Sequence, residues 1–119
     1  MDFTINNVRW KIIETTQKGM KAMQNKRKGE KEEKEDETNL NNRYYGITYA
    51  DDCIIYLDMD LPIDRKRKTL MHELAHCYIV SYITHEDKTY DEEMVADIVA
   101  NSHDTITEII NEYFKEACK

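Results

Sequence analysis

Apolar and charged residues alternate near the start of the chain. In Val8-Arg9-Trp10-Lys11-Ile12-Ile13-Glu14, the side chains of Val8, Trp10 and Ile12 share one face and Arg9 and Lys11 the other. That period of two predicts a half-buried strand. Two more β-rich runs, residues 45–49 and 53–57, flank the turn residues Ala50-Asp51-Asp52 and predict a hairpin. Three antiparallel strands make a small sheet, which needs a helix layer on one face for stability. Pro62 then opens a stretch that reads as helical, because proline is tolerated in a first turn. Its basic residues, Arg65 to Lys68, should be solvated. Residues 69–83 are apolar nearly all round, the pattern of a helix buried on most sides. A polar loop, His85-Glu86-Asp87-Lys88, precedes another helix starting near Tyr90 or Asp91, with acidic residues in its first turn. Asn101-Ser102-His103-Asp104 predicts a break or kink, with Asp104 as a new N-cap. A last amphipathic helix carries Ile106, Ile109, Ile110, Tyr113 and Phe114 on one side.

Composition changes this picture in one region. Residues 26–37 read KRKGEKEEKEDE and contain no apolar side chain. Such a stretch cannot bury enough surface to offset its ordering entropy unless it forms a solvated helix, which its Glu and Lys residues would also allow. It predicts a mobile charged insertion from about residue 19 to residue 42 within a single domain spanning the 119 residues. The net charge of −7 argues against direct nucleic-acid binding. No apolar run approaches the ~18–20 residues needed to span a bilayer, so no membrane association is expected. Met1-Asp2-Phe3-Thr4 shows neither a basic nor a long apolar segment, so no secretory leader is expected. Three cysteines, an odd number with no close pairing, suit a reducing, cytoplasmic setting.

The chemistry lies in His72-Glu73-Leu74-Ala75-His76, an H-E-x-x-H pattern. On a helix, residues four apart lie on one face, so both imidazoles can reach a single metal ion. Glu73 is rotated about 100° from His72 and is placed to act as general base on a water held by the metal. Two core histidines and a surface glutamate are the structural alternative, and a buried unpaired charge would make that costly. A third ligand is needed, and the candidates are His85, His103 and the downstream acids. Glu93 stands out because it opens Glu93-Met94-Val95-Ala96-Asp97, an E-x-x-A-D pattern. Glu93, Asp97, Ala100 and Asp104 fall on one helical face, and Ala96 and Ala100 would allow close approach to the first helix. Asp97 would then be buried and accept the free ring N–H of a ligating histidine. Glu92 reads as a helix-dipole residue and His85 as a surface residue. The longer H-E-x-x-H-x-x-G-x-x-H signature is absent, since Ile79 and Tyr82 occupy its last two fixed positions. His103, at the expected break, is a candidate oxyanion stabiliser. Cys77 reads as a small buried hydrophobe.

Residues 45–114 resemble the ImmA/IrrE-type metallopeptidases in their short phage or mobile-element form. The resemblance rests on Ile54-Ile55-Tyr56-Leu57-Asp58, Lys66-Arg67-Lys68-Thr69-Leu70, the H-E-x-x-H segment and the E-x-x-A-D segment, in that order. It implies a zincin-like α+β fold, with a small antiparallel sheet packed on the H-E-x-x-H helix and one or two C-terminal helices. It also implies Zn2+ bound by His72, His76 and Glu93, with Glu73 as base, in a gluzincin-like peptidase. The implied substrate is a protein, and members of the family cut DNA-binding helix-turn-helix repressors. An edge strand from the 45–57 hairpin would hold an extended substrate by strand addition. The competing reading is a non-catalytic zincin-fold regulatory or interaction protein, of counter-defence or toxin type.

Overall fold

The computed structural model describes residues 1–28, 35–38, 43–82 and 92–117. The fold is α+β. Chain order is β1 (Asp2–Ile5), β2 (Val8–Thr15), α1 (Gln17–Lys28), β3 (Glu35–Thr38), β4 (Tyr44–Tyr49), β5 (Ile54–Asp58), α2 (Ile63–Tyr82) and α3 (Glu92–Ala117). The strands form one sheet in the order β1-β2-β5-β4-β3.

The strand at residues 8–14 and the 45–57 hairpin are present, but the sheet is mixed rather than antiparallel. β2 runs parallel to β5, with Ile12 opposite Ile55, while the other neighbours pair antiparallel. The cause is α1. A helix that carries the chain away from β2 lets it return in the same direction, which a hairpin cannot do. Thr16 starts this helix by accepting a hydrogen bond from the Gly19 N–H at 3.1 Å, as an N-cap does. Met20 and Gln24, one turn apart, are both buried, and Gln24 accepts a hydrogen bond from the Tyr49 hydroxyl. The first part of the expected insertion, from residue 19 to Lys28, is therefore helix α1, packed through Met20 and Gln24. Residues 35–38 pair with β4 as an edge strand. The rest of the expected insertion, 29–34 and 39–42, lies outside the described residues, as does the loop at 85–88.

β1 is a further strand. Asn6 and Asn7 both have positive φ, 50° and 65°, which makes a two-residue turn between β1 and β2. Asparagine tolerates that left-handed backbone, and such a turn matches the twist of the flanking strands. The turn seats Phe3 opposite Trp10, with their rings stacked at 6.5 Å.

Alternation along the strands splits the core in two. Phe3, Ile5, Trp10, Ile12, Ile55 and Leu57 face one way and pack on Leu70, Leu74 and Cys77 of α2 and on Ile106, Ile109, Ile110 and Tyr113 of α3. Ile47, Tyr49 and Tyr56 face the other way and pack on Met20. Thus α2 and α3 share one face of the sheet and α1 covers the other. The Trp10 indole N–H donates to Ser81 Oγ at 3.0 Å and Asn6 Nδ2 donates to the Ser81 carbonyl, tying the end of α2 to the first hairpin.

α3 has no break at residues 101–104. Ile98 is half-buried, and Ser102, Ile106, Ile109 and Tyr113 are buried, at spacings of four, four, three and four. Ser102 thus continues the inner stripe through the segment that reads as a stop, and no glycine or proline interrupts it. α2 also departs from expectation. Met71, Val80 and Tyr82 are exposed, because the sheet and α3 cover only part of its circumference.

Asp58, at the end of β5, is fully buried and collects four hydrogen bonds. Arg43 donates from Nε and Nη2, Gln17 from Nε2 and Asp60 from its backbone N–H. Burial alone would push this carboxyl up, yet the Asp60 N–H, the Arg43 guanidinium and the Gln17 amide together hold it below the usual carboxylate range. A depressed folded pKa contributes stability above the unfolded value of about 3.9, lost as pH falls through the folded one. Asp58→Asn should therefore lower the melting temperature at pH 7, and the gap from wild type should narrow below about pH 4. Thermal unfolding at several pH values measures this, and a gap independent of pH would contradict it.

Gly46 on β4 sets how closely α2 lies on the sheet. A Cβ there would stand 2.8 Å from Thr69 Cγ2, 3.1 Å from Glu73 Cγ and 3.3 Å from Leu57 Cδ2. Glycine in a strand marks such an approach. Gly46→Ala should destabilise the domain by about 1–3 kcal/mol through overpacking, read from urea unfolding. A neutral effect would mean that α2 shifts freely on β4.

Candidate metal centre

His72 and His76 sit one turn apart on α2. Their Nε2 atoms are 3.2 Å apart and their ring centroids 4.9 Å. The His72 side chain is 50% exposed, so the pair opens to solvent rather than into the core. Two Zn–N bonds of about 2.0–2.1 Å at a near-tetrahedral angle would end on nitrogens about 3.3 Å apart. The observed separation fits two ligands of one ion. Without an ion, the same distance suits a hydrogen bond whose direction depends on the tautomers.

Glu73 behaves differently from both neighbours. It is fully buried between α2 and β4. Its Oε1 accepts a hydrogen bond from Thr48 Oγ1 at 2.7 Å, and its Oε2 lies 3.9 Å from His72 Nε2. The carboxylate thus bridges from the strand to the histidine pair. Helical geometry explains the division. Thr69 and Glu73 ride the row facing β4, while His72 and His76 ride the neighbouring row toward solvent.

β4 is built to receive this carboxylate. Ile47 and Tyr49 pack with Met20 toward α1, so Gly46 and Thr48 present to α2 a face without bulk and with one hydroxyl. Neither residue belongs to the motif that marks the site. The signal was the alternation Gly46-Ile47-Thr48-Tyr49, small or hydroxylic residues against large ones in a strand. A glycine there points to something approaching from one side.

The residues expected from downstream are placed otherwise. The stripe of Ile98, Ser102, Ile106, Ile109 and Tyr113 takes the inner side of α3. Glu93, Asp97, Ala100 and Asp104, on a different face, are exposed, and so is Ala96. The close helix approach through Ala96 and Ala100 does not occur, and Asp97 is not a buried carboxylate. Glu93 is solvent-facing on the first turn of α3, beside Glu92. His103 is exposed within continuous helix rather than at a break. His85 is outside the described residues. Among the described residues no group of three or more His, Cys, Asp or Glu side chains converges as a metal site. The structure therefore brings His72, His76 and Glu73 together, and places Glu93 exposed on the first turn of α3.

Cys77 neighbours His76 but belongs to the core, as its spacing suggested. Burial first, and then the nearby Glu73 charge, push its thiol well above the usual range, so it stays a neutral hydrophobe. A hollow of about 370 Å3 between β1 and α3 includes none of these residues. Substrate addition to the 45–57 hairpin also needs correction. Both of its strands are interior, β5 lying between β2 and β4, and β4 between β5 and β3. Among the described strands the edges are β1 and β3.

No helix among the described residues is long and apolar enough to cross a membrane. In comparisons with known proteins, no family model matches the chain, and neither does any curated protein or solved structure.

Proposed function

We propose that the chain is a zinc-dependent peptidase that cuts a protein substrate. The observation carrying this reading is the 3.2 Å convergence of His72 Nε2 and His76 Nε2 beside the buried Glu73 carboxylate. Core histidines would have no reason to stand at the solvent face. A surface glutamate would have no reason to lie fully buried with one oxygen bonded to Thr48 and the other toward that pair.

In this reading His72 and His76 hold the ion, and Glu93 is the assigned third ligand. Bound zinc supplies Lewis-acid polarisation of the scissile carbonyl and acidifies water. Glu73 takes the proton from the attacking water at Oε2, the oxygen facing the histidines, and passes it to the leaving amine. Thr48 keeps Oε1 occupied throughout. Exposure of His72 leaves room for substrate on that side. By resemblance to the ImmA/IrrE-type peptidases, the substrate class is a DNA-binding repressor.

Zinc content and cleavage together test the assignment. His72→Ala should abolish stoichiometric zinc binding, and Glu93→Ala should weaken it. Glu73→Gln should retain zinc but lose cleavage of a co-expressed helix-turn-helix repressor by about 100-fold or more. Equal zinc content in wild type and His72→Ala would refute the site. Unchanged binding in Glu93→Ala would remove that residue as ligand. A cellular effect that survives Glu73→Gln would favour an interaction protein over an enzyme.

A further inference from the structure

We propose that Thr48 is the positioning residue of the site, fixing Glu73 by one oxygen so that the other is presented to the histidine pair. This rests on the metallopeptidase reading above and adds to it a residue outside the H-E-x-x-H segment.

The geometry is specific. An ionised carboxylate only accepts hydrogen bonds, and a threonine hydroxyl has a single proton to give. Thr48 Oγ1 therefore donates to Glu73 Oε1, at 2.7 Å, and both side chains are buried. Bonds from a neutral donor to a charged acceptor are among the stronger ones. Thr48 is itself held by the sheet, opposite Ile55 in the β4–β5 ladder. Its β-branched side chain is stiff about χ1. Gly46, two residues earlier on the same face, leaves the space that Glu73 Cγ fills. The segment Gly46-Ile47-Thr48 is thus a seat: one position makes room for the glutamate stem and the next fixes its head.

The consequence concerns Oε2. A glutamate has three side-chain torsions, and a free head could turn either oxygen toward the histidines. Anchoring Oε1 on the strand leaves one oxygen, Oε2, at 3.9 Å from His72 Nε2. A general base must stand within about 2.6–3.2 Å of the atom whose proton it takes, and a misplacement of about 1 Å can cost 100-fold. Valine matches threonine in shape and lacks the donor, whereas serine keeps the donor without the methyl group.

The test uses the full chain with Thr48→Val, Thr48→Ser and Glu73→Gln, each loaded with Zn2+ or Co2+, and fluorescein-labelled casein as the probe. Thr48→Val should lower kcat about 10–100-fold with KM and metal stoichiometry unchanged, and Thr48→Ser should recover most of that loss. Independently of turnover, the visible absorption of the Co2+ protein should change in Thr48→Val and overlay wild type in Thr48→Ser. Wild-type kcat and spectrum in Thr48→Val would overturn the proposal. Equal losses in both variants together with lowered melting temperatures would also overturn it, because they would assign Thr48 to packing alone. If wild type and Glu73→Gln are equally inert on casein and on the co-expressed repressor while the Co2+ spectrum still separates valine from serine, the peptidase reading fails and the positioning role stands. If wild type takes up neither metal, both fall.

Discussion

The close approach of α2 to β4 is the constraint on which the site depends. A helix can lie this near a strand only where the strand offers no side chain, and Gly46 provides that place. The approach brings a carboxylate into a layer otherwise filled by Leu57, Leu70 and Leu74. A buried carboxylate without a donor is expensive, and Thr48 supplies one. The same contact decides which row of α2 turns inward, and so leaves His72 and His76 on the solvent side. Strand packing and site chemistry are here a single arrangement.

A second polar knot holds the opposite end of the same strands. Gln17 donates to Asp58 and, through its own carbonyl oxygen, accepts from the Tyr44 backbone N–H. One side chain at the start of α1 therefore ties β4 to β5. Arg43 reaches the same carboxylate, and the Arg65 guanidinium lies 5.3 Å from the Tyr45 ring centroid. Nearby, Glu14 pairs with Lys66 and accepts from the Tyr113 hydroxyl, linking β2 to α2 and α3. Burial first, and then the hydrogen bond to Glu14 and its charge, raise the Tyr113 hydroxyl above its ordinary range, so it remains a donor.

What could be read in the chain follows from how local each signal is. The β2 alternation, the β4–β5 hairpin and the long H-E-x-x-H helix are written within short windows, and all three are present. The fold class at the level of α+β was equally legible. The parallel pairing of β2 with β5 was not, because it depends on where α1 carries the chain. That helix was hidden by composition: its core contact is the narrow stripe of Met20, Met23 and Gln24 amid charged residues. β1 was missed because Asn6-Asn7 is a two-residue turn whose meaning lies in backbone sign, not hydropathy. At the site, the i,i+4 histidines were legible from spacing alone. The facing of Glu93 and Asp97 was not, since Ser102 is polar by name and core by position. Reading it as a stop concealed the stripe that turns those acids outward.

The unbroken course of α3 gives it the character of a shaft. Its buried residues from Ile106 to Tyr113 act as a clamp, and the exposed residues from Glu92 to Val95 lie at the far end. Each residue along the shaft adds about 100° of rotation and 1.5 Å of length. The heading of Glu93 therefore depends on the number of residues between it and the clamp. Removing one residue from the exposed stretch before Ser102 would turn the far end through about 100° while leaving the clamp in register. In this fold, angular phase is a heritable quantity that insertions and deletions can change without touching the core.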